Sequence, residues 1–385
     1  MELPALSSAV VTGRRVMIRA DLNVPIEKGR VANDQRIRAA LPAIRHCLDR
    51  DAAVIVLSHL GRPAEGSFDA RYSLAPVAEA LSRALGRPVP LRRDWLDGVD
   101  VSGGQAVLCE NVRFNAGEKD NSPELGKRMA ALCDLFVMDA FGSAHRAQAS
   151  VHAVARAAPE ACAGPLLLAE LRALQAAFSD PPRPLTAIAG GAKISGKLGV
   201  LRSLVSRADA LIPGGGIANT LLGAAGVELG ASLAEPEMFT DARQVLSGRA
   251  EVLLPVDAVL APSPDTPGHA RIAPVEDVRP EEMILDIGPR TAALYAKAIA
   301  DAGAVVWNGP LGLFEVEAFA GGTRKVAEAV AASPAFRVAG GGDTLRALDE
   351  FGLASELDHL CTGGGAMLAW LEGRELPGIS VLQTR

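Results

Sequence analysis

The sequence predicts an α/β protein of two doubly wound, Rossmann-like parallel-sheet domains joined by a connecting helix, with a cleft between them. Three observations predict it. Short β-rich apolar runs alternate with helix-like amphipathic stretches from end to end, which is the βαβ pattern of a parallel sheet. A chain of 385 residues suggests two domains or one large α/β barrel, since domains average roughly 150 residues. Midway, Gly164-Pro165 opens the leucine-rich segment LLLAELRALQAAF and Ser179-Asp-Pro-Pro-Arg-Pro184 closes it. Helical leucine spacing bounded by Pro and Gly reads as a single helix followed by a domain boundary.

In the first half the strand-like runs are Val16 to Ile18, Val54 to Leu57, Ala106 to Leu108 and Leu135 to Met138. Amphipathic segments Arg36 to Leu48 and Leu74 to Leu85 lie between them. The second half offers Leu185 to Ala189, Ala210 to Ile212, Val252 to Leu254, Ile284 to Ile287, Ala304 to Trp307 and Phe336 to Ala339. No repeat of solenoid length interrupts the series.

Composition narrows the function. The chain is 49% hydrophobic and 22% charged, enough apolar residue for a normal core and too much for disorder. Five Cys without a CxxC pair form neither a disulfide framework nor a zinc site, so a reducing, cytoplasmic setting is expected. No run of about 18 apolar residues is present, so no membrane span is expected. A net charge of −6 argues against a general nucleic-acid binder. The halves differ: up to Pro184 there are 23 Lys+Arg and 21 Asp+Glu, and the remainder reverses the balance with 16 and 24. An anionic ligand favours the first half, although scatter of surface charge explains the numbers equally well. Glycine totals 39, of which 27 follow Pro184.

Polar residues cluster after nearly every first-half run, where open α/β sheets place their ligands. Arg19, Arg36, Arg62, Arg113 and Arg146, with Asp21, Asn23, His59 and His145 among them, read as a site for a small multiply anionic substrate. Asp21 fits such a site only if it orients an arginine or accepts a hydroxyl proton. In the second half, Gly190-Gly-Ala-Lys193-Ile-Ser-Gly-Lys197 follows a strand and opens a helix. Amides at a helix start and lysines four apart on one helical face make a phosphate cradle. Its GAKISGK has P-loop spacing up to Leu198, which replaces the Ser or Thr that would hold Mg²⁺, so a true P-loop is not expected. Triplets at Gly214 to Gly216, Gly340 to Gly342 and Gly363 to Gly365 repeat the glycine pattern. Asp343 reads as a Mg²⁺ ligand, as a helix cap, or as both. The loop Asn308 to Glu315 suits a base or ribose, with Glu315 as acceptor for ribose hydroxyls. An arginine anion site facing a Gly/Lys/Asp nucleotide site is the layout of a two-domain kinase for a small anionic acceptor.

The motifs are specific enough to name a family. RADLNVP (19–25), SHLGRP (58–63), ENVRF (110–114), DAFGSAHRAQAS (139–150), GGAKISGK (190–197), GGGIANT (214–220), LPVD (254–257), DIGPRT (286–291), WNGPLGLFE (307–315), GGGDT (340–344) and TGGGA with LEGRELPGI (362–366 and 371–379) occur in family order. The chain resembles the phosphoglycerate kinases from about Val16 to Leu382. The resemblance implies reversible phosphoryl transfer between 1,3-bisphosphoglycerate and MgADP, giving 3-phosphoglycerate and MgATP, by hinge closure of two domains. It implies that Asp21, Asn23, Arg36, His59, Arg62, Arg113 and Arg146 bind the glycerate substrate. It assigns the nucleotide to Gly191, Lys193, Lys197, Gly215, Asn308, Pro310, Glu315, Gly341, Gly342, Asp343 and Thr344, with Asp343 on Mg²⁺. Arg36, Lys193, Lys197 and Gly342 are the implied catalytic set. The expected domains are 1–170 for the glycerate substrate, joined by the tail 371–385, and 171–370 for the nucleotide. A cytoplasmic monomer is implied, with no nucleic-acid or membrane partner.

The chain departs from the family pattern at Gly196, where aspartate is usual between the lysines, and at Gln148, Ser143 and Met367. It is also short for the family. Two other classes compete. An NAD-dependent dehydrogenase needs a GxGxxG fingerprint that follows no strand here, and a homologue impaired in catalysis has only Gly196 in its favour.

Overall fold

The computed structural model describes residues 3–383 of the chain. It divides into two compact units: one runs to Leu171 and takes the chain back from Glu375, and the other holds Arg172–Arg374.

The first unit contains β1 (Arg15–Ala20), the two-residue strands β2 (Ile26–Glu27) and β3 (Arg30–Val31), β4 (Ala53–Leu57), β5 (Leu91–Arg92), β6 (Ala106–Cys109), β7 (Leu135–Asp139) and β8 (Glu160–Ala163). Apart from the β2–β3 hairpin, these form one parallel sheet in the order β5-β6-β4-β1-β7-β8. Strand β1 is buried from Val16 to Ala20 and β4 along its whole length, as expected of strands covered on both faces. The helix Gln35–Leu48 buries Ile37, Leu41, Ile44 and Leu48, a stripe at helical spacing that faces the sheet core with Val16, Val54 and Val137. The chain leaves β1 toward β4 on one side and β7 on the other, so their carboxyl ends form a topological switch point. The final helix, Pro377–Gln383, belongs to this unit; the Gly378 amide donates to the Ala144 carbonyl at 2.9 Å.

The second unit contains β9 (Leu185–Ala189), β10 (Ala210–Pro213), β11 (Glu251–Val252), β12 (Asp257–Ala261), β13 (Arg271–Pro274), β14 (Met283–Ile287), β15 (Ala304–Asn308), β16 (Phe336–Gly340) and β17 (His359–Cys361). The main sheet is parallel, ordered β11-β10-β9-β15-β16-β17. Its switch point lies between β9 and β15. The run Ile284 to Ile287 falls outside this sheet. As β14 it pairs antiparallel with β12, which also pairs antiparallel with β13. An apolar run reports burial but carries no label for the direction of its partner. The connecting segment is helical from Pro165 to Leu174 and continues as a π-helical turn to Ser179. Among the described residues no helix is long and apolar enough to cross a membrane.

Candidate active site

In the first unit the polar residues after β1, β4, β6 and β7 gather around one buried guanidinium. Arg19 is fully buried. Its Nε donates to Ser150 Oγ at 3.0 Å, its Nη1 donates to the Ala20 carbonyl at 2.6 Å, and its Nη2 lies 3.1 Å from His59 Nδ1. Arg19 therefore leaves the set of anion-binding arginines that the sequence suggested: as a β1 residue its side chain points into the core and braces its neighbours. Burial, reinforced by Arg19, Arg113, Arg36 and Arg146, holds the His59 imidazole well below its ordinary range. A neutral ring that accepts from Arg19 at Nδ1 carries its proton on Nε2, which makes His59 a donor.

Asp21 resolves the puzzle of an acid in an anion site. Its two carboxylate oxygens receive Arg36 Nη1 at 3.1 and 3.0 Å, and the Asn23 carbonyl receives the same nitrogen at 3.2 Å. The acid orients Arg36, whose guanidinium remains one-third exposed. Asn23 Oδ1 accepts from the Gly61 amide at 2.9 Å. Arg113 is buried, donates from Nη1 to the Gly61 carbonyl at 2.5 Å, and has no partner for Nε. Burial, with repulsion from Arg19 and Arg146, pulls its pKa down to about 10. A buried, incompletely paired guanidinium is stabilised by an incoming anion. Arg62 and Arg146 are exposed, and Arg146 Nε donates to His145 Nε2 at 3.0 Å.

One member of this cluster had no signal in the sequence. Glu118 is fully buried and accepts from the Ser150 amide at 2.9 Å and its hydroxyl at 2.6 Å. Burial raises its pKa, while Ser150, Arg19 and Arg113 oppose that rise. It lies in the loop NAGEKD, which matches no motif.

In the second unit the site forms at the carboxyl ends of β9, β15 and β16. Lys197 Nζ donates to the Gly190 carbonyl at 2.6 Å, to Asn308 Oδ1 at 2.5 Å and to the Asn308 carbonyl at 3.3 Å. Burial lowers its pKa to about 8, against the opposing pull of Asp343. Lys193 and Lys197 do not share a helical face as expected. Gly191 turns the chain with φ +133°, Lys193 lies in the loop, and helix begins as a 3₁₀ turn at Ser195–Lys197 before Leu198–Arg207. The two lysines are thus carried by a loop and a turn rather than by one helix.

Asn308 Nδ2 donates to the Gly340 carbonyl at 2.8 Å, and the Gly309 amide donates to Thr344 Oγ1 at 2.7 Å. Gly341 has φ +101° at the N-cap of the helix Gly342–Glu350. A Cβ there would stand 2.8 Å from Asn308 Nδ2, whereas nothing lies within 4 Å of the Cβ position of Gly342. The first turn of this helix is therefore open to a phosphate. Asp343 lies in that turn, exposed, and Gly341 occupies the cap position that the sequence left open for Asp343. One exposed carboxylate beside an uncrowded helix start fits Mg²⁺, which takes one or two carboxylates together with substrate phosphates. Gly215 donates its amide to the Leu311 carbonyl at 2.9 Å, so it shapes the turn. Pro310 closes over Gly190, and Glu315 is ion-paired with Arg346. A separate cavity of about 520 Å³, lined by Val259, Ile272, Pro289 and Lys325 among others, includes none of these residues.

Comparisons with known proteins identify the family. The family profile of phosphoglycerate kinase matches residues 6–374. A phosphoglycerate kinase of Nitratidesulfovibrio vulgaris (strain DSM 19637 / Miyazaki F) is 54% identical over 377 residues, covering 97% of this chain and 96% of that protein. One from Coxiella burnetii (strain RSA 493 / Nine Mile phase I) is 51% identical over 384 residues, 99% of this chain and 98% of its own. Among solved structures, phosphoglycerate kinase from Coxiella burnetii superposes with a TM-score of 0.93 at 50% identity, covering 100% of both chains. The Pyrococcus horikoshii OT3 enzyme does so with 0.86 at 31% identity, covering 99% of this chain and 98% of its own. Neither the dehydrogenase nor the impaired-homologue reading finds support in these likenesses. With a profile match across nearly its whole length and relatives above half identity, the chain belongs to the phosphoglycerate kinase family and is a phosphotransferase.

Proposed function

We propose that the protein transfers a phosphoryl group reversibly between the acyl phosphate of 1,3-bisphosphoglycerate and MgADP, yielding 3-phosphoglycerate and MgATP, as a monomeric cytoplasmic enzyme. The observation that carries this reading is the seat of Lys197 at the β9–β15 switch point, with the open helix start at Gly342 and the exposed Asp343 beside it. In the ATP-consuming direction the nucleophile is the substrate carboxylate, ionised near pH 7, so no general base is needed. The enzyme has to neutralise charge and align the reacting groups. Arg36, preset by Asp21, and Lys193 meet the equatorial oxygens of the transferring group. Lys197 follows the phosphate, and the amides at the start of Gly342–Glu350 cover the remaining charge. His59, Arg62, Arg113 and Arg146 hold the glycerate and its distal phosphate, with Asn23 fixing the loop that carries Arg62. Asp343 would hold Mg²⁺, which shields charge on the nucleotide phosphates when bound.

Arg36 belongs to one unit and Lys193 and Lys197 to the other, which supports a reaction gated by hinge closure. Five buried free cysteines suit a reducing compartment. The deciding experiment is a coupled assay for ATP formation from 1,3-bisphosphoglycerate and MgADP. Turnover is the expected result; a folded protein that forms no ATP would overturn the reading.

A further inference from the structure

The loop that carries the two lysines is pinned by a carboxylate from a distant segment. Glu235 is nine-tenths buried. Its Oε2 accepts from the Ser195 amide at 2.8 Å and its Oε1 from the Ser195 hydroxyl at 2.6 Å. Ser195 stands two residues after Lys193 and two before Lys197 and begins the 3₁₀ turn, so both bonds fix the point where loop becomes helix.

Glu235 is itself anchored. Its amide donates to Thr220 Oγ1 at 3.1 Å, and that hydroxyl donates to the Gly216 carbonyl at 2.7 Å. Asn219 Nδ2 holds the Leu233 carbonyl at 3.1 Å. Thr220, Asn219 and Gly216 all lie in the helix Gly215–Ala224, whose start packs against the lysine loop: the Ile217 amide donates to the Gly191 carbonyl at 3.1 Å. A continuous chain of hydrogen bonds thus runs from the glycine-rich helix through Glu235 to the lysine turn. Burial pushes the Glu235 carboxyl up, but the Ser195 hydroxyl and amide, the Ile194 amide and the charge of Lys193 hold it below its usual range. The acid is therefore ionised and senses the Lys193 ammonium. Gly196, between the lysines, brings no carboxylate of its own, and nothing lies within 4 Å of its Cβ position.

We propose that Glu235 is a positioning residue for phosphoryl transfer: through Ser195 it holds the lysine loop so that Lys193 is aimed at the transferring group. It acts through Lys193 and touches no substrate, and it rests on the reading of Lys193 given under the proposed function. Without the carboxylate, the two Ser195 donors lose their acceptor, the turn loosens, and the ammonium samples orientations that do not meet the phosphoryl oxygens.

The test is steady-state kinetics on Glu235→Gln and Ser195→Ala, alone and in a Lys193→Ala background, with melting temperatures measured alongside. Glu235→Gln places an amide nitrogen where one Ser195 donor needs an acceptor. It is expected to lower kcat about tenfold while the KM for ADP moves less than about threefold. Ser195→Ala, which leaves the buried acid intact and keeps the amide bond, is expected to lower kcat by a smaller factor. In the Lys193→Ala background both substitutions are expected to leave the residual kcat unchanged, because neighbouring residues acting through one group are not additive. Wild-type kcat for both single variants overturns the proposal, as does the same fold-loss with and without Lys193. A Lys193→Ala enzyme with wild-type turnover strikes instead at the reading of Lys193 as a phosphoryl ligand.

Discussion

Three side chains carry the proposed chemistry, and each predicts a distinct signature in solution. In the proposed mechanism Lys197 binds phosphate as an ammonium, and burial brings its pKa down from 10.5 to about 8. Its charge is present below that value and lost above it, so kcat/KM for the nucleotide should fall as pH rises through about 8, since kcat/KM reports the free enzyme. Lys197→Arg keeps a charge at every working pH and should move that limb upward even where overall activity drops; a flat wild-type profile from neutrality to strongly alkaline pH would refute the assignment. Arg36, preset by Asp21, is proposed to act on the transition state from the first unit rather than to bind the nucleotide. Arg36→Ala should cost about three orders of magnitude in kcat and leave MgADP affinity nearly unchanged in calorimetric titration. Equal loss of ADP affinity would place Arg36 in the nucleotide site. Asp343→Asn should raise the Mg²⁺ concentration needed for nucleotide binding about tenfold or more, and an unchanged requirement would reduce Asp343 to a partner of the helix dipole.

At the scale of elements, the site of the second unit depends on how closely strand ends approach. A Cβ at Gly190 would overlap the Pro310 carbonyl oxygen, so the β9 and β15 loops meet at a distance only glycine permits. Gly190→Ala should destabilise the second unit by about 3 kcal/mol or more, through strain of the kind that produces large mutational losses, and a melting curve unchanged from wild type would show that the loops can part without penalty. These glycines were legible as a pattern because backbone that must approach phosphate or backbone excludes side chains. The apolar runs at Leu185 and Ala304 were legible as strands for a similar reason: Val, Ile and Trp buried on two faces leave a continuous signal. By contrast β8, reading Glu-Ala-Cys-Ala, and β17, reading His-Leu-Cys, are short, with few β-branched residues, and take their pairing from neighbours already in place. The partner of Ile284 to Ile287 was hidden because direction of pairing is a tertiary fact. Glu118 and Glu235 were hidden for the same reason. Each is an acid in an unremarkable loop whose meaning comes from Ser150 or Ser195, 32 and 40 residues away, and no local spacing encodes such a meeting. His59 and Arg113 were visible as residues, but their protonation settings come from burial among other arginines.

The molecule as a whole divides its labour by residue type. On the proposed reading the first unit recognises its anion with side chains, chiefly arginine, and only 12 glycines precede Pro184; of the 27 that follow, Gly190, Gly191, Gly341 and Gly342 shape the proposed nucleotide site, while Gly378 lies in the returning helix of the first unit. The division is crossed twice by the chain, at Leu171–Arg172 and again at Arg374–Glu375. The returning helix Pro377–Gln383 buries Ile379, Val381 and Leu382 in the first unit. Removing the residues from Glu375 onward should therefore lower the stability of the first unit by at least about 3 kcal/mol, the scale of two buried aliphatic side chains, while ADP binding by the second unit persists. Calorimetry with two resolved transitions and an ADP titration would check both halves, and a loss confined to the second unit would contradict the assignment of the tail. The same return has a consequence during synthesis. A ribosome adds residues up to Arg374, and hence every residue of the second unit, before it adds the last piece of the first. The unit that begins first is therefore the last to be completed, because its closing helix is made only after every residue of the second unit.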